Sequence, residues 1–486
     1  MTAAATEQKA RLRRELRRLD TILFLMSAMV VVDTIGAIAI GGEQAFTWLA
    51  VLFVTFFIPS ALASAELGAA IPEEGGAYVW VRMAFGRVAG AMTSLLYWAG
   101  TPVWLGGSVT VVAIAVWERF LFDLSTRGML VFGSVFVAGA TAAAVAPLRY
   151  GKWVPSSGAI GQIVLLSIFT ISVAVYGFEH GVHGLTIAGF APDATVFVAV
   201  APILLYSFVG IELPAAAGEE MVNPRRDIPV AILRAGIAQA LMYGIPILAV
   251  LFVLPARQIS SLHGLIDAMA TVFTVYGPAA DALGVATAAL FVWVLLASGS
   301  AWIMGAGRAQ AAACLDGGGP AALGRISERT GVPVVMAVVS GVAALATMVA
   351  ALAVTHGDGQ RYFSAALTVA IALIVLAYLF VFPAFVRLRY THAAIERPFR
   401  VPGGFAAAWA VSLVSTGWAL LATVSLLWPG IGTAHPDSAL PAGFQGDRMA
   451  FEAIVLSPIA ILIVVCGIFL AFGARSRRAS GEPVHA

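Results

Sequence analysis

The chain has 486 residues, 60% of them apolar and 11% charged, with 28 Lys and Arg against 26 Asp and Glu. Soluble domains carry about a quarter charged residues, so a soluble enzyme, a nucleic-acid binder and a disordered chain are excluded as starting points. At about 20 apolar residues per membrane crossing, the length allows a dozen spans with short connections.

The basic start (Arg11, Arg13, Arg14, Arg17, Arg18) runs straight into a full-length apolar stretch with no small-residue cleavage site, so the chain is expected to stay in the membrane. Twelve apolar runs follow, at 23–40, 46–67, 88–117, 129–146, 160–176, 196–217, 230–254, 283–304, 332–354, 363–386, 406–428 and 453–472. Porin-like alternation is missing and helices satisfy their backbone bonds internally. The expected fold is therefore an all-α integral membrane bundle of twelve transmembrane helices.

With a cytoplasmic N-terminus, one side collects the N-terminal cluster, Arg82, Arg87, Arg149, Lys152, Arg225, Arg226 and Arg234. It also takes Arg308, Arg325, Arg329, Arg387, Arg389, Arg397, Arg400, Arg475, Arg477 and Arg478. The other side receives only Arg119, Arg127, Arg257, Arg361 and Arg448. This positive-inside pattern in a cell membrane places both termini in the cytoplasm. Residues 1–20 read as a basic topology signal, and 474–486 as a tail that is disordered over 479–486. Cys314 and Cys466 are too few for a disulfide scaffold. His180, His183, His263, His356, His392, His435 and His485 all fall in loops or the tail, away from metal-ligand spacing, so neither metal nor cofactor is expected.

Ionisable groups inside an apolar span are costly and mark function. Three acids qualify: Asp33 in the first span, Glu66 near the inner end of the second and Glu212 in the sixth. Asp33-Thr34-Ile35-Gly36-Ala37 sets a glycine beyond one acid, and Phe208-Val209-Gly210-Ile211-Glu212-Leu213-Pro214 sets glycine and proline around another. Matched interruptions in two halves of a chain point to a transporter's binding site. Gly36 and Gly210 are 174 positions apart, each in the first span of a five-span set. An inverted repeat of 21–178 and 193–390, followed by two helices at 405–473, would bring both breaks to the bilayer midplane. Freed amides there hold an anionic group, and freed carbonyls an ammonium or metal ion. A single membrane glycine usually serves close packing; two in register, each beside an acid, favour a site. Glu66 reads as the partner of a loop arginine, as plain structure or as a gate. Tyr97, Trp98, Trp104, Tyr206, Trp293 and Trp302 offer aromatic faces to a cation, with Tyr206 and Trp302 beside the suspected site.

The connecting loops carry a family resemblance. Pro72-Glu73-Glu74-Gly75-Gly76-Ala77-Tyr78-Val79-Trp80, then Ala84-Phe85-Gly86, resembles the loop after the second helix of amino acid–polyamine–organocation transporters. Ser207-Phe208-Val209-Gly210-Ile211-Glu212, continuing through Glu219-Glu220-Met221-Val222-Asn223-Pro224-Arg225-Arg226-Asp227-Ile228-Pro229, resembles their sixth helix and next loop, those of the arginine/agmatine and glutamate/γ-aminobutyrate exchangers in particular. Gly307-Arg308-Ala309, Asp316-Gly317, Gly331-Val332-Pro333 and Arg397-Pro398-Phe399-Arg400-Val401-Pro402-Gly403-Gly404 match later loops in order, so the likeness covers nearly the whole chain.

The resemblance implies a five-plus-five inverted-repeat fold with discontinuous first and sixth helices and two added helices. It also implies alternating-access transport of amino acids or related amines. The family's first-helix turn, which receives the substrate carboxylate, falls on Gly36-Ala37-Ile38, with Ile38 where the pattern has a second glycine. The backbone at Phe208, Val209 and Gly210 would receive the amino group, and Trp302 aligns with an aromatic position of the eighth helix. Asp33 is not the usual residue in this family; Glu212 is common in it. An added acid and a poorer carboxylate cradle point to a cationic substrate or one with a prominent ammonium. Two neighbouring acids repel, so one of them is expected to cycle a proton. Some relatives replace sodium with a fifth-helix lysine; 160–176 has none, and Lys152 precedes it. Ser298 and Ser300 offer hydroxyls to sodium, the lesser alternative to proton coupling or exchange. The expected function is a secondary amino acid permease, with a polyamine or amine carrier second. A receptor or channel on the same scaffold comes third, and no P-loop or nucleophile–base pair suggests an enzyme or a pump.

Overall fold

The computed structural model describes residues 8, 11–182, 184–255, 258–354, 359–431, 436–441 and 443–479. Most of the expected basic segment up to residue 10, Arg257, His183, His356, His435, His485 and the tail beyond 479 lie outside the described residues.

The helices are α1 (Arg18–Met29), α2 (Ile35–Ala39), α3 (Gly42–Ala70), α4 (Ala77–Phe85), α5 (Arg87–Phe120), α6 (Thr126–Val145), α7 (Trp153–His180) and α8 (Ala194–Tyr206). They continue with α9 (Leu213–Ala216), α10 (Pro224–Val253), α11 (Gly264–Phe273), α12 (Ala280–Ala313), α13 (Val334–Val354), α14 (Gly359–Thr391), α15 (Gly404–Leu427) and α16 (Arg448–Ala479). Among the described residues no β-strand occurs, and ten helical stretches are long and apolar enough to cross a membrane. A shorter apolar helix spans Val334–Ala350 within α13. The apolar run at 196–217 forms two helices, α8 and α9, separated by an irregular stretch.

The packing explains these lengths. α1, α5 and α14 are buried along most of their membrane-length windows, whereas α16 turns Ile461, Ile463, Val464 and Ile468 outwards, as a lipid-facing helix does. α5 is interrupted by a wide turn at Trp104–Val109, just past Pro102. A proline inside a helix removes a donor and crowds the preceding carbonyl, and the ladder here slips to a π-type register. Gly106 and Gly107 press this turn against Ala344 and Ala366, where a Cβ would collide, and Tyr362 donates to the Gly106 carbonyl at 2.6 Å.

Several connections gather on one face. On the face where the chain begins, Lys152 pairs with Asp20 at 2.8 Å, Leu16 bridges Met221, and Arg11 reaches the Ile326 carbonyl at 3.4 Å. Arg82 pairs with Asp316 there, and Arg225 with Glu396 at 2.7 Å. Residues 11–17 are docked on this face, because Leu12 and Leu16 find apolar partners and the backbone finds donors and acceptors.

Candidate functional site

The first break lies six residues before Gly36. α1 ends at Met29, Val30 and Val31 take ψ of 89° and 87°, and a short turn at Val32–Thr34 leads into α2. Three successive valines explain the place: β-branched side chains are stiff at χ1 and crowd the preceding helical turn. The expectation that Gly36-Ala37-Ile38 forms the open turn is corrected accordingly. These residues sit inside α2, and Gly36 packs on Gly264, where a Cβ would stand 3.1 Å from the Ser261 carbonyl and 3.2 Å from Gly264 N. The second break falls where expected. Residues 207–212 leave the helix and Gly210 adopts a φ of +99°, a region open to glycine and costly for other residues.

Buried carbonyls freed by a break must find donors. At the first break, the Gln162 amide of α7 donates to Ser27 O (3.3 Å) and Val30 O (2.8 Å), and Trp302 Nε1 of α12 donates to Ala28 O (2.9 Å). Tyr243 of α10 accepts from Val31 N at 3.0 Å and donates to Val31 O at 3.1 Å. The Thr34 hydroxyl donates to Val31 O at 2.7 Å and lies 3.2 Å from the Tyr243 hydroxyl. Gln239, also on α10, donates to Met29 O at 3.4 Å and to Ser207 O, so one amide spans both breaks. Trp302 joins them a second time, since its ring rests on Gly210, with Cζ2 3.2 Å from where a Cβ would stand.

The carboxylates flank this junction. Asp33 Oδ2 accepts from Ser108 Oγ at 2.8 Å and Trp104 Nε1 at 3.2 Å, both on the wide turn of α5. Its other oxygen, Oδ1, is buried and receives no hydrogen bond from another described residue. Glu212 accepts from Tyr378 of α14, at 3.0 and 2.9 Å, and the same hydroxyl accepts from Gly210 N at 3.1 Å. Tyr97 lies against Glu212, and Tyr206 lies within electrostatic range of Asp33. Ring centroids run from Tyr97 to Trp302 at 5.8 Å and from Trp302 to Trp104 at 6.0 Å. An aromatic wall therefore joins the two acids.

All the expected substrate residues, Asp33, Thr34, Gly36, Ala37, Ile38, Tyr206, Phe208, Val209, Gly210, Glu212 and Trp302, are buried. They do not share one role. Phe208 turns its ring away onto Phe57 and Phe53 of α3, at 5.5 and 6.0 Å between centroids, leaving only its backbone at the break.

Residues 16–443 match the family model for amino acid permeases. The chain belongs to the amino acid permease family. The permease is 26% identical over 387 residues to a probable agmatine/putrescine antiporter of Lactococcus lactis, covering 79% of this chain and 82% of that one. It is 24% identical over 361 residues to a glutamate/γ-aminobutyrate antiporter of the same organism, covering 72% and 71%. A manganese transporter from Eremococcus coleocola superposes with a TM-score of 0.61 at 13% identity over 94% of this chain and 95% of that chain, a likeness of fold. The permease is thus a multi-pass membrane transporter and not an enzyme.

Several residues that shape the site escaped the sequence reading. Gln162, Gln239, Tyr243, Tyr378 and Ser108 are uncharged, and a search for acids passes over them. The available signal was an amide or hydroxyl in a long apolar helix, which is costly without a partner. Glu66, weighed as a gate, is held by Arg389 (Nε–Oε1 2.8 Å), by Arg397 (3.2 Å) and by Val401 N (2.7 Å), tying α3 to the connection after α14. Ser300 donates to Ala297 O of its own helix at 2.8 Å, while the Ser298 hydroxyl has no partner among the described residues. Trp98 and Trp293 bond Ser340 and Ser157, at 2.8 and 3.2 Å, away from the acids.

Proposed function

We propose that this permease exchanges amine-bearing organic cations by alternating access, with a substrate ammonium seated on Asp33 Oδ1. That free oxygen carries the reading. A buried carboxylate acceptor left open beside a helix break, with Trp104 on the same carboxylate and Trp302 and Tyr97 extending the aromatic wall, suits a cation, which gains from both the charge and the aromatic faces. Glu212, at the far end of the wall, is engaged by the Tyr378 hydroxyl and shapes the seat from the second break. Zwitterionic amino acids are the poorer match, because the Gly36-Ala37-Ile38 segment is helical and its glycine is occupied by packing.

The proposed count of twelve crossings takes α8 and α9 together as one broken span and α13 as one continuous span beside the ten long helices. The proposed organisation is two inverted five-helix sets, 21–178 and 193–390, then 405–473. The gathering of basic loops on the face of the N-terminus supports cytoplasmic termini in the cell membrane. Coupling by protons or by counter-substrate fits better than sodium. The Gln162 amide already fills the Ser27 and Val30 carbonyls, and Ser300 is spent on its own helix.

Uptake into proteoliposomes tests this. Labelled putrescine and agmatine should enter faster when the vesicles are preloaded with unlabelled amine, at a rate indifferent to sodium. Equal rates for glutamate or γ-aminobutyrate would overturn the cation reading, and continuous conductance without counterflow would overturn exchange.

A further inference from the structure

The segment before α1 crosses a seam. On the N-terminal face, α1 and the connection 217–223 meet α12 along this seam, which the Arg308–Glu220 pair closes. Residues 11–17 touch both sides. Glu15 N and Leu16 N each donate to Glu220 O at 3.0 Å, and Val222 N donates to Leu16 O at 3.0 Å, a short parallel bridge that buries Leu16 to 4% exposure. Past this bridge the strap reaches the connection that follows α12. Leu12 packs on Leu315 and Ile326, Arg11 donates to Ile326 O at 3.4 Å and pairs with Glu328 at 3.0 Å, and Gln8 accepts from Ile326 N at 3.0 Å.

Glu220 is where the strap meets the interior. Its carbonyl holds Glu15 and Leu16, while its carboxylate takes two hydrogen bonds from Arg308 of α12, at 2.7 and 3.2 Å. Arg308 also reaches Glu74 on the connection after α3, at 3.7 Å. All three side chains are buried, so the cluster keeps its attraction only while water is excluded from it. Lys152 anchors the strap from the other flank by donating to Glu15 O at 3.1 Å.

We infer that residues 11–17 are the latch of the gate on this face, and that Leu12, Leu16 and Glu220 are gating residues of the transport cycle. The inference rests on the alternating-access reading. The latch must release one of its two footholds, Met221 or Ile326, before the seam can part; until then Arg308 and Glu220 stay dry and paired.

The test is a distance measurement on the full chain with spin labels at the exposed positions R226C and R329C, one on each side of the seam; the native Cys314 and Cys466 are buried. Adding L12D and L16D together should shift the distance distribution to longer values and raise the exit rate of substrate through this face. The conservative L16M should leave both unchanged. An unaltered distribution in the L12D/L16D protein, with wild-type exchange intact, would overturn the latch. Should the wild type itself show no exchange, the alternating-access reading fails, and the label distances still report whether the strap holds the seam.

Discussion

At the first break the helix gives way over Val30-Val31-Val32, in backbone conformations any residue adopts, whereas at the second it gives way at Gly210 with a φ of +99°. The first is held open from outside, with Gln162, Gln239, Tyr243 and Trp302 taking its carbonyls one by one. The second is held largely by its own geometry, with the Tyr378 hydroxyl on Gly210 N and the Gln239 amide on Ser207 O. The acids differ in the same way. Glu212 is closed off by Tyr378, while Asp33 keeps an oxygen free. The contrast assigns recognition to the first break and shape to the second.

The largest effect should come from D33N, which removes the open acceptor while keeping the side chain's size. Losing an ammonium–carboxylate contact of about 3 kcal/mol weakens amine binding about 100-fold, measurable by calorimetry or by the KM of exchange. An unchanged KM would erase the distinction between the two breaks. G210A comes next, at about 1–3 kcal/mol for a residue forced into the left-handed region, with Trp302 pressed at 3.2 Å. It should lower the melting temperature and slow exchange. Y378F should cost about 1–3 kcal/mol, because it strands both Gly210 N and the Glu212 carboxylate. Its signature is a loss of stability larger than any loss of affinity.

The smallest effect lies at the latch and concerns pH. Burial pushes the Glu220 carboxyl above its ordinary 4.5, with Arg308 opposing. The folded protein then binds this proton more readily than the unfolded chain does. Glu220's contribution to stability should therefore fall as pH rises from about 4.5 through its raised value and stay level above it. Melting curves across that range should show this slope flattened in E220Q.

Most of the helical plan was legible in the sequence because long apolar runs and the placement of arginine report the membrane directly. The second break was legible too, since only glycine tolerates its backbone. The first was misplaced because a valine run looks like ordinary membrane filling and Gly36 looks like a hinge, yet the valines loosen the helix and the glycine serves packing. Asp33 and Glu212 stood out by charge. Their partners Trp104, Ser108 and Tyr378 did not, since which neutral side chain faces a carboxylate depends on how distant helices cross, and on a slipped turn after Pro102 that no spacing rule marks.

Gly36 and Gly264 let α2 and α11 touch through bare backbone, with no side chain between them to absorb a shift. The helix α11 is thus a handle on the short helix that follows Asp33. Whatever grips that handle from the far face, whether an antibody, an inhibitor or a neighbouring loop, will be felt at the cation seat within.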